Sequence, residues 1–382
     1  MLNRARRNGV PSMMRMTITA TMLTLTVSCN RSPPPLEHAS LDFTTTVEGQ
    51  EVVLTYEGTH DVMQDEDPDI RLLVLVHHDG RLNSVSSFNY VMAALDSAVA
   101  DQPELRLRET TMVISPGMIH EWHLIENPER YAEGYYPWWD GGWRGGSYSV
   151  TLPSVSNFEL IDALILHVAD RFQNLRAVVQ VGHSAGGQLV SRYAVGTMVH
   201  DQLRERGIYM RSIIANPSSF LYLDRQRPNL AADSGFIGYY DDVPVVEEES
   251  CTAFNQYPYG MDGLAPYMRR RPTTDMLAAF RRRDIWILNG MLDNRVTPDM
   301  DPTCPAALQG RHRLERGRRY YEYLGHFFGP DVYDSKFIEL VPGVGHDGRG
   351  LYTSGQGNAI IFIDADSAAA ALSDVSGLDP GR

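Results

Sequence analysis

Lysine is almost missing from this chain: Lys336 is the only one among 34 basic residues, the rest being arginine. We read that as compositional bias and draw no function from it. Positive charge as a whole is in short supply, with 34 basic residues against 48 acidic and a formal charge of -14. Setting aside residues 1–28, which hold four arginines and no acid, leaves 30 against 48, or -18. A field of that sign repels nucleic acid and anionic membrane surfaces, so neither is expected as a partner. Long apolar runs are missing too, since the longest near the N-terminus, Met16 to Val27, is threonine-rich and too short to span a bilayer as a stable helix. Cysteine is down to three residues. What remains is a chain of 382 residues, long enough to bury a sizeable core as one large α/β domain or as two domains.

The N-terminus carries Arg4, Arg6, Arg7 and Arg15 ahead of the Met16 to Val27 run, which reads as an export signal over residues 1–28. Its end, Leu25-Thr26-Val27-Ser28-Cys29, resembles a bacterial lipoprotein cleavage box with Cys29 as the acylated residue. Thr26 departs from the aliphatic residue usual at that position, so cleavage without acylation is the alternative. Pro33-Pro34-Pro35 then reads as a stiff part of a spacer over residues 29–39. The expected location is therefore outside the cytoplasm, either anchored to a membrane by lipid or free in the periplasm or exterior. If Cys29 is lipidated or removed, an even pair is left, Cys251 and Cys304. In an oxidising compartment a disulfide between them would stabilise by roughly 4 kcal/mol through the loop it closes. Two unpaired buried thiols are the alternative.

Along the chain, LDFTTTV and EVVLTYEG alternate around Glu48-Gly49-Gln50 and suit an antiparallel hairpin. Leu72 to Val76 is a continuous apolar run, as expected of a strand buried on both faces, and a helix follows from about Phe88 to Val99. Met112 to Ser115 is the next strand. Residues 116–153 form a long loop with Trp122, Trp138, Trp139, Trp143, Tyr131, Tyr135 and Tyr136, which either seal the core or wall a substrate cleft. Ser156-x-x-Glu159 is a capping box that opens a helix to about Phe172. Further strands are expected at Ser212 to Ala215, Ile285 to Leu288 and Phe337 to Val341, with a polar helix from about Pro305 to Leu324. Strands alternating with helices imply a doubly wound, mostly parallel sheet with reactive groups at strand C-terminal ends. Over 224–273 periodicity is lost and an acidic run appears at Asp241, Asp242, Glu247, Glu248 and Glu249, either a lid-like insertion or a solvated face. The tail 364–382 is expected to be frayed or disordered.

Two histidine-rich stretches, His77-His78-Asp79 and His120-Glu121-Trp122-His123, raise the question of a metal. Their spacing fits no helical two-histidine motif and adjacent ligands on one loop rarely converge, so no metal site is assigned.

The stretch Ala177 to Tyr193, AVVQVGHSAGGQLVSRY, is an apolar run that breaks at Gly182 and restarts at helical spacing through Leu189, Val190, Tyr193 and Ala194. Gly182-His183-Ser184-Ala185-Gly186 lets a strand and a helix pass close to a serine held in a sharp turn. An ordinary strand-to-helix serine is the plainer reading of the motif alone. With its apolar strand, the histidine before the serine and the small residues after it, the stretch resembles the nucleophile elbow of the α/β-hydrolase fold. The resemblance covers about Leu72 to Phe362, within a domain expected over 40–363, and more closely the chain is similar to secreted feruloyl esterases and polyhydroxybutyrate depolymerases.

That resemblance implies a nucleophile at Ser184, a triad acid at Asp293 on the loop after the Ile285 to Leu288 strand, and a base at His346 in Gly343-Val344-Gly345-His346. Asp299 and Asp301 compete with Asp293, which is preferred because it lies nearer the strand end. The backbone N–H of Ala185 would be one oxyanion donor. The second would come from the loop after the first parallel strand, from Asp79 or else His78. The implied reaction is acyl transfer through an acyl-enzyme, on a small or polymeric ester, with no cofactor. Esters are preferred over amides, whose poorer leaving group demands more acid assistance. A serine peptidase or amidase, and a non-catalytic binding protein on the same scaffold, are the alternative readings.

Overall fold

Five apolar runs without charge, each followed by a turn, set the frame. A computed structural model describes residues 39–79, 84–120, 124–125, 128–129, 134–138, 142–232, 234–238, 243–246 and 249–376. The export signal, Cys29 and the proline spacer lie outside them, as do Trp122, Trp139, Tyr131, Glu121, His123, Asp241, Asp242, Glu247 and Glu248. Eight strands make one sheet: β1 (Ala39–Val47), β2 (Gln50–Gly58), β3 (Leu72–His77), β4 (Thr111–Pro116), β5 (Ala177–His183), β6 (Tyr209–Ala215), β7 (Asp284–Gly290) and β8 (Lys336–Val341). Their order is β1-β2-β4-β3-β5-β6-β7-β8. β1 and β2 are antiparallel, β2 meets β4 antiparallel, and every later pairing is parallel. This is the doubly wound, mostly parallel sheet of the α/β-hydrolase fold, with antiparallel strands at its N-terminal edge.

Local chemistry accounts for the elements. The β1–β2 turn is two residues, Glu48 and Gly49, both at positive φ (50° and 76°), the geometry that matches the twist of a tight hairpin. Phe43, Val52, Leu54 and Tyr56 bury one side of it. β3, β4 and β5 are buried along their whole length, as strands covered on both faces must be. Helices α1 (Ser84–Asp101), α2 (Asn157–Arg171), α3 (Ala185–Gly196), α4 (Thr273–Arg281) and α5 (Arg313–Phe328) pack around the sheet. α2 opens on the expected box, with the Ser156 hydroxyl accepting from the Phe158 N–H and Glu159 accepting from the Ser156 N–H.

The structure departs from the sequence reading at two places and decides between its alternatives at a third. The polar helix expected over 305–324 is two pieces, Cys304–Ala307 and α5, because Gly310 sits at φ 146° between them, a conformation that ends a helix. The tail is not frayed from residue 364: Ala365–Ser376 is a helix, α6, whose Ala365 and Ala369 are buried against the sheet. Alanine has the highest helix propensity, and the i, i+4 pair supplies a packing face. In the 116–153 loop Trp138 and Trp143 are buried in the main core, so these two seal it. Cys251 and Cys304 are joined as a disulfide, tying the 224–273 stretch to the segment before α5.

Register decides where the site falls. His77 pairs with Gly182, His183 with Ala215, and Gly290 with Val341, so β3, β5, β6, β7 and β8 end at one rim. Asp79, Ser184, Ser218 and His346, which follow β3, β5, β6 and β8, line a common cleft.

Candidate active site

At the β5–α3 junction Ser184 has φ 56° and ψ -115°, a region that costs a non-glycine residue about 1–3 kcal/mol and persists only when its surroundings hold it. They do so here through the Ser184 N–H, which donates to the Ala215 carbonyl at 2.9 Å, and the Ser184 carbonyl, which accepts from Gln188 at 3.0 Å. The flanking glycines are required by contact. A Cβ on Gly182 would lie 2.3 Å from the Gly186 backbone, and one on Gly186 would lie 2.4 Å from the His77 carbonyl oxygen.

The Ser184 hydroxyl lies 3.1 Å from His346 Nε2, and His346 Nδ1 lies 2.8 Å from Asp293 Oδ2. Since a carboxylate only accepts, Nδ1 carries the proton and Nε2 is free to accept from the serine. Asp293 is buried at 3 % exposure, its other oxygen 3.6 Å from Arg313 Nη1. The loops that carry these groups are fastened together by Asn216, just past β6. Its Oδ1 accepts from the Gly290 N–H and from Asn289 Nδ2, both at 3.0 Å, and its Nδ2 donates to the Gly345 carbonyl at 3.0 Å. Gly290 must be glycine for the same closeness, as a Cβ there would sit 2.5 Å from the Val344 carbonyl oxygen.

The three competing aspartates separate in space. Asp301 accepts from the hydroxyls of Tyr259 (2.8 Å) and Thr303 (2.6 Å). Asp299 is largely exposed, bound to Arg313 Nη2 at 3.2 Å, and its Oδ2 lies 3.7 Å from His346 Nε2, on the serine side of the ring. Burial works against the Asp299 charge, but the Thr297 hydroxyl and the Arg313 guanidinium outweigh it and hold its carboxyl below the usual value. Arg313, fully buried, therefore links the two carboxylates that flank His346, and also donates to Ser218 Oγ and Thr297 Oγ1. Sequence reasoning missed Asn216, Arg313 and the place of Asp299. Asn216-Pro217 marks where the strand after Ser212 stops, but gives no sign of the bridging role of Asn216.

Ala185 opens α3 beside Ser184, and Asp79 lines the same cleft. The His78 side chain is directed elsewhere: Nε2 accepts from the Met118 N–H at 3.1 Å, so Nδ1–H donates to the Asp79 carbonyl at 2.9 Å and braces that loop. His77 is buried beneath, its pKa pulled down to about 3 first by burial and then by His78, which keeps it neutral. The cleft, about 530 Å³, continues into a second lobe of about 390 Å³ walled by Pro258, Tyr259 and the 298–303 segment, the two meeting at Arg144, Gln188, Ser218 and Asp299. Arg144 is the one contribution of the aromatic-rich 116–153 loop to this cleft among the described residues.

No protein-family model matches the sequence, and no curated protein matches it. Among solved structures, the chain is similar to a poly(3-hydroxybutyrate) depolymerase from Bordetella parapertussis, with 19% identity and a TM-score of 0.53 over 89% of this chain and 95% of the other. It is also similar to a poly(aspartic acid) hydrolase from Sphingomonas sp. KT-1, with 19% identity and a TM-score of 0.51 over 82% of this chain and 95% of the other. At these identities the likeness is one of fold.

Proposed function

We propose that this chain is a serine hydrolase that cleaves carboxylic esters through an acyl-enzyme. One observation carries the reading: a serine in strained backbone geometry whose hydroxyl meets His346 Nε2, with the opposite ring nitrogen held by the buried Asp293. In the first half-reaction His346 takes the Ser184 proton as Oγ attacks the ester carbonyl. Asp293 holds the imidazole in the productive tautomer and stabilises its charged form. The Ala185 N–H at the start of α3, and a backbone N–H of the Asp79 loop, receive the oxyanion. His346 then protonates the departing alcohol, and water repeats the sequence on the acyl-enzyme to release the acid and restore Ser184.

The ester preference follows the leaving-group argument, and the polyester depolymerase among the fold neighbours agrees with it. Amide cleavage is the second reading, and the poly(aspartic acid) hydrolase keeps it in play. Export and a lipid on Cys29 are part of the same proposal. A disulfide suits an oxidising compartment, and among the described residues no helix is long and apolar enough to cross a membrane. The experiment that tests the enzyme reading is covalent labelling with a fluorophosphonate. Wild type should be labelled and Ser184→Ala should not, with circular dichroism unchanged, because a serine hydroxyl reacts this way only when a base activates it. An unlabelled wild type sinks it.

A further inference from the structure

Among the described residues, two cations that line the cleft, Arg144 and Arg192, have no carboxylate partner. Arg144 is half-buried, lines both lobes, and its side chain has a single partner among the described residues, the neutral amide oxygen of Gln188 at 3.1 Å. Behind it Arg192 is 3 % exposed and also lines the second lobe. Among the described residues its guanidinium donates only to neutral acceptors: the carbonyls of Arg144 (3.2 Å) and Pro258 (3.3 Å) and the Ser219 hydroxyl (3.1 Å). Placing guanidinium charge at a partly desolvated wall without a carboxylate is costly unless something else supplies the negative charge. Buried Arg227 and Arg316 also brace backbone carbonyls without an ion pair among the described residues, but neither lines this cleft, so bracing alone does not explain Arg144.

The position is set by α3. Ser184, Gln188 and Arg192 recur every four residues and share one helix face, each step rising about 6 Å along the axis. The carboxylates nearby are occupied, Asp299 by Arg313 and Asp301 by the Tyr259 and Thr303 hydroxyls, so neither neutralises Arg144. Asp79 and Asp347 line the Ser184 lobe, and the chain as a whole is acidic, which disfavours a polyanion and leaves room for a single anionic group.

We propose that the substrate carries a carboxylate, received by Arg144 beside Gln188 with Arg192 behind them, about one helical turn from the bond that is cleaved. This names the substrate class of the hydrolase reading and rests on it.

The test compares esters that differ only in that charge. One pair places it on the acyl chain, 4-nitrophenyl hydrogen suberate against its primary-amide twin. A second pair places it on the alcohol, 4-acetoxyphenylacetate against its primary amide. In at least one pair the carboxylate member should show a KM about 10- to 100-fold lower, the factor expected of a charge-assisted hydrogen bond. In Arg144→Gln that ratio should fall toward one. The same ratio should appear in Kd for the Ser184→Ala protein, measured by calorimetry, so the test stands even where turnover is slow. Equal KM and Kd within both pairs, or a preference that survives in Arg144→Gln, overturns the inference. Arg192→Gln is a second probe should Arg144→Gln misfold. Failure of the hydrolase reading shows separately, as absence of fluorophosphonate labelling on Ser184.

Discussion

Two carboxylates flank His346, and replacing each in turn separates orientation of the ring from simple proximity. Asp293 is buried and 2.8 Å from Nδ1, whereas the Asp299 side chain is 62% exposed and 3.7 Å from Nε2. A buried carboxylate beside a developing imidazolium contributes on the order of 4 kcal/mol at an effective dielectric near 20, and loss of tautomer control brings the penalty in turnover to about 10³–10⁴. An exposed carboxylate at similar distance contributes about 1 kcal/mol in high dielectric before screening, or at most about fivefold. Asp293→Asn should therefore lower kcat by about three to four orders of magnitude, and Asp299→Asn by about fivefold or less. Arg313 stays partnered in either variant through the remaining aspartate, so neither change strands a buried cation. The assay is kcat on a chromogenic ester at two salt concentrations. At about 0.15 M salt the Debye length is about 8 Å, and at 1 M about 3 Å, so the Asp299→Asn effect should shrink as salt rises while the Asp293→Asn effect persists. Larger damage from Asp299→Asn, or a salt-sensitive Asp293→Asn, would refute the assignment and move the orienting acid to the other side of the ring.

The mature N-terminus should be Cys29 bearing lipid, with no alkylatable thiol in the oxidised protein. Mass spectrometry that finds an unmodified start elsewhere removes the anchor, and two alkylated cysteines remove the Cys251–Cys304 bridge. His77 should make stability fall on the acid side. Its folded pKa of about 3 lies below the ordinary value near 6.5, so below 6.5 the unfolded chain binds a proton that the folded one refuses. The stability it contributes is full above pH 6.5 and is lost as pH falls toward 3, by up to about 1.4 kcal/mol per pH unit. His77→Gln should flatten the decline of the unfolding midpoint between pH 6.5 and 4, though not abolish it, since buried His200 is lowered in the same way. A slope equal to wild type would count against a neutral His77.

Much of the frame was legible because it rests on short-range pattern. The Leu72 to Val76 run, the Glu48-Gly49 turn and the Ser156 box each announce themselves within a few residues, and the elbow glycines do so because the crowding at Gly182 and Gly186 is local. The spacing around Gly182 and Gly186 singled out Ser184, but its partners Asp293 and His346 were reachable only through resemblance, as 53 and 162 residues separate the bonded pairs. What periodicity cannot report is a side chain that joins two loops. Asn216 reaches 74 residues to Gly290 and 129 to Gly345, and nothing beside it in sequence says so. Asp299 was discounted for lying further along its loop, but the loop returns on itself and brings it to the serine side of the ring. The tail helix was missed because a chain end is expected to fray unless something ties it down, and the sheet it packs on lies far from it in sequence.

The shortage of lysine, which meant nothing as composition, acquires a physical sense in the folded chain. Arg227 and Arg316 are buried and span carbonyls of separate segments, Arg316 those of Gly310, Ser218 and Asp301 and Arg227 those of Asp224, Gln226 and Phe254, while buried Arg283 caps the end of α3 at the Ala194 and Thr197 carbonyls. A planar fork of five donors can do this, and it stays charged while doing so. Burial draws Arg192 and Arg316 down only to about 10, far above neutrality. The one lysine occupies the same kind of place, with Nζ donating to the Arg281 and Arg283 carbonyls and the Ser335 hydroxyl, and burial draws it to about 7. At that value a buried ammonium holds its proton only part of the time near neutral pH. A fold that fastens segments to one another through carbonyls and buried cations keeps those cations with arginine and would lose some of them with lysine.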